Sequence, residues 1–122
     1  MDRKVLKYLN DILDSINEIE SYFKDSPRRF DEYRSNQMMR RAIQMNIAII
    51  GEATNQILRI CPVIEISNAR KIVDTRNFVI HGYDSVSDEM IWAIVINHIP
   101  LLKKEISSLV SNPGLTTEFN QQ

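Results

Sequence analysis

Residues 3–24 read RKVLKYLNDILDSINEIESYFK, and within them Val5, Leu9, Ile12, Ile16, Ile19 and Phe23 recur at alternating spacings of four and three. At about 3.6 residues per turn, all six fall on one stripe of an α-helix. Asp2 stands where an N-cap belongs, because its carboxylate can accept from the free N–H groups of the first turn. The spacing predicts a helix over about 3–24. Such a stripe fits the core of an intramolecular bundle, and it equally suits the seam of a two-chain coiled coil.

Outward from this segment the helical pattern continues. Asp25-Ser26-Pro27 interrupts it, with Ser26 as an N-cap and Pro27 at the first position of a short turn holding Phe30 and Tyr33. A long helix is expected from about Ser35 to Ile60, with Met39, Ala42, Ile43, Ile47, Ile50, Ala53, Ile57 and Leu58 as its apolar positions. Gly51 lies in its middle. Glycine there costs about 1 kcal/mol relative to alanine, which either points to another backbone passing close by or is simply tolerated. Cys61-Pro62 ends the helix, and Ser67 reads as the N-cap of the next, whose stripe is Ile72, Val73, Phe78 and Val79 or Ile80. Gly82 fits the position just past that helix. Ser87 caps a last helix with Asp88 and Glu89 in its first turn and Ile91, Val95, Ile99, Leu102, Ile106 and Leu109 on one face. Pro100 falls inside it and should bend it. Together these elements predict an all-α fold, an antiparallel four-helix bundle with one short extra helical turn. Residues 1–111 form a single domain, and 112–122, with Pro113-Gly114, form a frayed, flexible tail.

Composition agrees. The chain has 122 residues, one domain's worth, with 43% hydrophobic and 25% charged residues, which excludes wholesale disorder. Three glycines and four prolines are too few for the turns of a sandwich or barrel. A single cysteine, Cys61, excludes an internal disulfide or a CxxC motif, and its place before Pro62 with no base beside it marks it as inert. No apolar run reaches the roughly 18 residues of a membrane span. Charges stand where a secretory leader would have its apolar core, so the expected location is cytoplasmic. Net charge is −1, yet Lys24 to Arg76 holds ten basic residues against six acidic ones. That local excess could offer a surface for phosphates or simply be a solvated face.

The densest polar cluster is Thr75-Arg76-Asn77-Phe78-Val79-Ile80-His81-Gly82-Tyr83. Asn77 and His81 are four apart and share a helix face, so the amide could hold one imidazole nitrogen and leave the other free for proton transfer. Arg76 and His81 are five apart, about 140° around an ideal helix, and two copies of the segment across a dimer axis would join them more easily. Such a set suits phosphodiester cleavage. The imidazole moves protons near neutral pH, the guanidinium clamps a phosphorane, and RNA supplies its own 2′-hydroxyl nucleophile without a metal. A histidine and an arginine that merely finish a helix remain the plainer alternative. Glu52, on a mostly apolar helix, should pair with an arginine, Arg76 being one candidate, or bind a backbone donor if it faces inward; a partly exposed structural acid is the plainer alternative. His98 sits beside the apolar stripe of the last helix and reads as a packed or hydrogen-bonded residue. With only His81 and His98 in the chain, no zinc site can be placed, and no cofactor is expected.

Arg76-Asn77 through His81-Gly82-Tyr83 resembles the signature of HEPN-domain ribonucleases, in particular the HepT-like toxins. Tyr8 to Leu13 resembles the family's opening helix, Ile50-Gly51-Glu52-Ala53 an IGEA element of its second helix, and Trp92 with Pro100 its last helix. The resemblance covers nearly the whole chain, although many relatives carry a tryptophan after the proline where this chain has Cys61-Pro62-Val63. It implies an all-α homodimer with a composite, metal-independent endoribonuclease site acting on RNA. In it Arg76 stabilises the phosphorane, His81 is the acid–base and Asn77 orients. It further implies a nucleotidyltransferase antitoxin that transfers AMP from ATP to Tyr83. A bulky anionic adduct two residues past His81 would obstruct the cleft and repel RNA phosphates. A reading from another class is a non-catalytic helical companion of a nucleotidyltransferase.

Overall fold

The computed structural model describes residues 2–81 and 87–112. In chain order its helices are α1 (Arg3–Ser21), α2 (Phe30–Ser35), α3 (Gln37–Ile60), α4 (Ala69–His81), α5 (Asp88–Ala93) and α6 (Ile99–Ser111), with a π-helical turn, Ile94–His98, joining the last two. No strand occurs among the described residues. The long units are α1, α3, α4 and the continuous α5–π–α6 segment, which is the helical bundle the apolar spacing predicts.

Asp2 Oδ1 accepts from the N–H of Lys4 at 2.7 Å and of Val5 at 3.3 Å, capping α1 as expected. The stripe Val5, Leu9, Ile12, Ile16 and Ile19 is buried within this one chain against α3 and α6, the intramolecular reading of that spacing. α1 ends at Ser21, three residues early, and Phe23 and Lys24 continue in a tighter turn through bonds to the carbonyls of Glu20 and Ser21. Phe23 then turns its ring to Trp92, with centroids 5.8 Å apart, and Tyr33 packs on the same indole at 5.3 Å. That aromatic cluster decides where α2 starts. Ser26 is not an N-cap: residues 27–29 are non-helical, and α2 begins at Phe30, where Phe30 and Tyr33 can reach Trp92. Burial pushes the Tyr33 hydroxyl pKa upward, and nearby Asp88 adds to the shift.

Between α1 and α3 the buried Asn46 is fully engaged. Its Oδ1 accepts from Tyr22 Oη–H at 2.8 Å and its amide donates to Glu18 Oε2 at 2.7 Å. The cap of α3 is Asn36, one residue past the expected Ser35, with Oδ1 accepting from the N–H of Met39 at 3.0 Å. Lys103 of α6 meets Glu20 of α1 at 2.6 Å.

Two further expectations are corrected. Ser67 does not cap α4. Its N–H and hydroxyl both go to the carboxylate of Glu105 on α6, the hydroxyl at 2.7 Å, while Asn68 takes the left-handed backbone (φ 59°) that an asparagine tolerates, and α4 starts one residue later. Pro100 does not fall in the interior of one α-helix. It lies in the first turn of α6, and the preceding turn widens into the π form, which relieves the lost N–H and the ring's clash with the carbonyl one turn back. Ser87 caps α5 as expected, its Oγ accepting from Met90 N–H at 3.1 Å. Asn112 N–H closes α6 onto the Ser108 carbonyl, and the tail beyond it lies outside the described residues. No described helix is long and apolar enough to cross a membrane.

Candidate active site

α4 owes its position to Gly51. A Cβ at that residue would overlap Arg76 Cβ and stand 2.9 Å from Arg76 Cγ and 3.1 Å from the Ile72 carbonyl oxygen. Only glycine lets α4 settle this deeply against α3, which is the close approach its mid-helix position suggested. The contact seats the base of Arg76 directly on the α3 backbone, beside the next residue, Glu52.

From there the side chains form a chain of polar contacts. Arg76 Nη2 stands 2.6 Å from Glu52 Oε2, an ion pair in which that oxygen makes no hydrogen bond, so Glu52 is at once a partly exposed acid and a partner of Arg76. Gln56 Nε2 donates to the other carboxylate oxygen, Oε1, at 2.9 Å. Arg76 Nη1 donates to Asn77 Oδ1 at 2.6 Å. The Arg76 side chain is 24% exposed and that of Glu52 44%, so the group lies at the edge of solvent.

His81 is the last residue of α4 and is exposed. Asn77 and His81 share a face of α4, but the Asn77 amide oxygen serves Arg76, and no Asn77–His81 hydrogen bond occurs among the described residues. The cause is reach: the long guanidinium folds over to its neighbour while Glu52 holds its far side. Within one chain Arg76 faces α3 and His81 lies about 7.5 Å further along the helix and about 140° around it. One α4 therefore pairs Arg76 with Asn77 and leaves His81 apart. Gly82 and Tyr83 lie outside the described residues. Phe78 and Ile80, flanking this end of α4, are 54% and 46% exposed, and Met45 and Ile49 leave further apolar surface on α3.

Other candidates sort out as follows. Cys61 is buried, as befits an inert thiol. His98 is not packed away: the π turn swings it to the exposed rim of a cavity of about 200 Å³ between α4 and α5–α6, floored by Ile47, Ile50 and Ile72. Neither Arg76, Asn77 nor His81 lines that cavity. No cluster of three or more histidine, cysteine, aspartate or glutamate residues is placed to hold a metal among the described residues. Sequence reading passed over Gln56, although its place four residues after Glu52 on one helix was a usable signal.

Comparison with known proteins places these features in a family. A model described as "Ribonuclease HepT-like" matches residues 12–109. A Methanocaldococcus jannaschii protein provisionally named RNase MJ1380 is 32% identical over 108 residues, covering 85% of this chain and 94% of the relative. A Thermococcus cleftensis protein named probable ribonuclease HepT is 29% identical over 113 residues, covering 89% of this chain and 98% of the relative. No solved structure matches at comparable significance. The glycine-seated α4, the Arg76–Asn77 pair and the terminal His81 thus stand on a chain that belongs to the ribonuclease HepT-like family.

Proposed function

We propose that this protein is a metal-independent endoribonuclease, the toxin of a toxin–antitoxin pair, working as a homodimer in the cytoplasm. The observation that carries the reading is the guanidinium of Arg76 held by Asn77 and Glu52 on the same short helix end that presents an exposed His81. Family membership supports RNA as the substrate.

In this reading one His81 takes the proton of the 2′-hydroxyl. The 2′-oxygen attacks phosphorus, and Arg76 balances the charge that builds on the non-bridging oxygens. The bond from phosphorus to the 5′-oxygen breaks, and a second imidazole protonates that oxygen. The products are a 2′,3′-cyclic phosphate and a 5′-hydroxyl. A two-fold dimer supplies two histidines and two arginines from one patch. The apolar surface of Phe78 and Ile80 beside the site supports such a contact. Purified protein cleaves RNA in excess EDTA and leaves cyclic phosphate ends, while a 2′-deoxy residue at the scissile position blocks the cut. A requirement for added divalent metal, or cleavage of the 2′-deoxy substrate, overturns the mechanism.

Neutralisation follows the same chemistry. A nucleotidyltransferase antitoxin transfers AMP from ATP to the Tyr83 hydroxyl, releasing pyrophosphate. The adduct sets a bulky anion two residues past His81 and repels RNA phosphates. Tyr83→Phe keeps its toxicity and escapes the antitoxin in a growth assay; normal neutralisation of that variant removes Tyr83 as the target.

A further inference from the structure

We infer that Glu52, steadied by Gln56, is a positioning residue for Arg76, a fixed carboxylate that sets the plane of the guanidinium before RNA arrives. The inference rests on the ribonuclease reading of Arg76 and adds two residues that act only through it.

Three observations carry it. First, Gly51 brings α4 so close that Arg76 starts its path on the α3 backbone, next to Glu52. Second, the carboxylate is divided between two partners: Gln56 Nε2 holds Oε1 at 2.9 Å, and Oε2 stands 2.6 Å from Arg76 Nη2. An acceptor that is itself gripped is suited to orienting a partner rather than to moving aside. Third, Asn77 Oδ1 takes Nη1 at 2.6 Å, so the two terminal nitrogens are anchored by different groups on different helices. Two anchors on one planar group define its orientation. Arg76 Nε and Glu52 Oε2 are both buried without a hydrogen-bond partner among the described residues, so Glu52 holds the guanidinium by charge at 2.6 Å and Asn77 holds it by a hydrogen bond. Each terminal nitrogen keeps a second N–H for phosphate oxygens. A carboxylate beside the phosphate site does not attract RNA, so its value is orientation rather than affinity.

This predicts a split between kcat and KM. Glu52→Gln keeps the shape and loses the charge; its kcat falls about ten- to a hundredfold while KM for RNA stays level or drops. Gln56→Ala shifts kcat the same way by a smaller factor. Both variants melt within about 2 °C of wild type, less than a loss of 1 kcal/mol would cause. A second readout needs no RNA. In the free protein the Nη protons of Arg76 give separate, slowly averaging NMR signals, and Glu52→Gln merges them. Arg76→Ala serves as the control. If wild type cleaves RNA, Arg76→Ala does not, and Glu52→Gln keeps full kcat, the positioning role is lost and the ribonuclease reading survives. If wild type itself does not cleave, the ribonuclease reading fails and the positioning of a catalytic arginine fails with it, whatever the NMR signals show. Arg76 signals unchanged by Glu52→Gln overturn the inference, as does a rise in KM with kcat intact.

Discussion

His81→Ala removes RNA cleavage, lowering kcat/KM by about 10²–10⁴-fold, and the variant no longer arrests growth when expressed. The fold is expected to survive the change. His81 is exposed at the final residue of α4, and Val73 is the one buried residue of that helix. Loss of activity therefore reads as loss of proton transfer, and an unchanged melting temperature and helical circular dichroism check that. If the work is shared across a dimer, mixing His81→Ala with Arg76→Ala protomers restores part of the activity, because the mixed dimer holds one intact imidazole and one intact guanidinium at the shared patch, a combination that neither homodimer has. A His81→Ala protein that still cleaves at the wild-type rate removes the acid–base role. Wild-type protein that cleaves no RNA at all favours the non-catalytic companion instead.

Gly51→Ala destabilises the protein by about 1–3 kcal/mol, the usual range for overpacking a tight contact. It does so although alanine is the better helix former by about 1 kcal/mol. The new methyl would overlap Arg76 Cβ and press on the Ile72 carbonyl oxygen at 3.1 Å. Backbone cannot swing aside as the end of a side chain can, so α4 must lift from α3. Arg76 then moves away from Glu52 and cleavage falls with stability. Urea unfolding and RNA turnover measured on one preparation test both halves. A Gly51→Ala protein that is more stable and equally active shows that the helices part at no cost.

Both outcomes depend on features that sequence reading reached unequally. The stripe from Val5 to Phe23 announced α1 and its buried face, because a helix that hides one side must repeat its apolar residues near 3.6. Close approach at Gly51 and pairing of Glu52 with Arg76 were each one of the readings open in the sequence, since a glycine and an acid on an apolar helix invite a reason, and packing decided between them. Local signals did less well at ends. Ser26 and Ser67 both carry the right side chain for a cap, but Phe30 and Tyr33 are drawn to Trp92, and Ser67 is taken by Glu105 on a helix 38 residues away. Pro100 was expected inside the last helix and instead stands in the first turn of α6, after a π turn whose His98 is exposed.

An all-helical bundle, the buried stripes of α1 and α3 and the presence of Arg76, Asn77 and His81 on one helix were written in the order of residues, because periodicity and short-range spacing are properties of the chain alone; the α4 stripe was not, since Phe78 and Ile80 are exposed. The direction of Arg76, the grip of Gln56 on Glu52 and the turning of Asn77 toward the guanidinium depend on α3 and α4 meeting at Gly51. Contacts between helices arise from packing depth and side-chain reach, which no local pattern encodes.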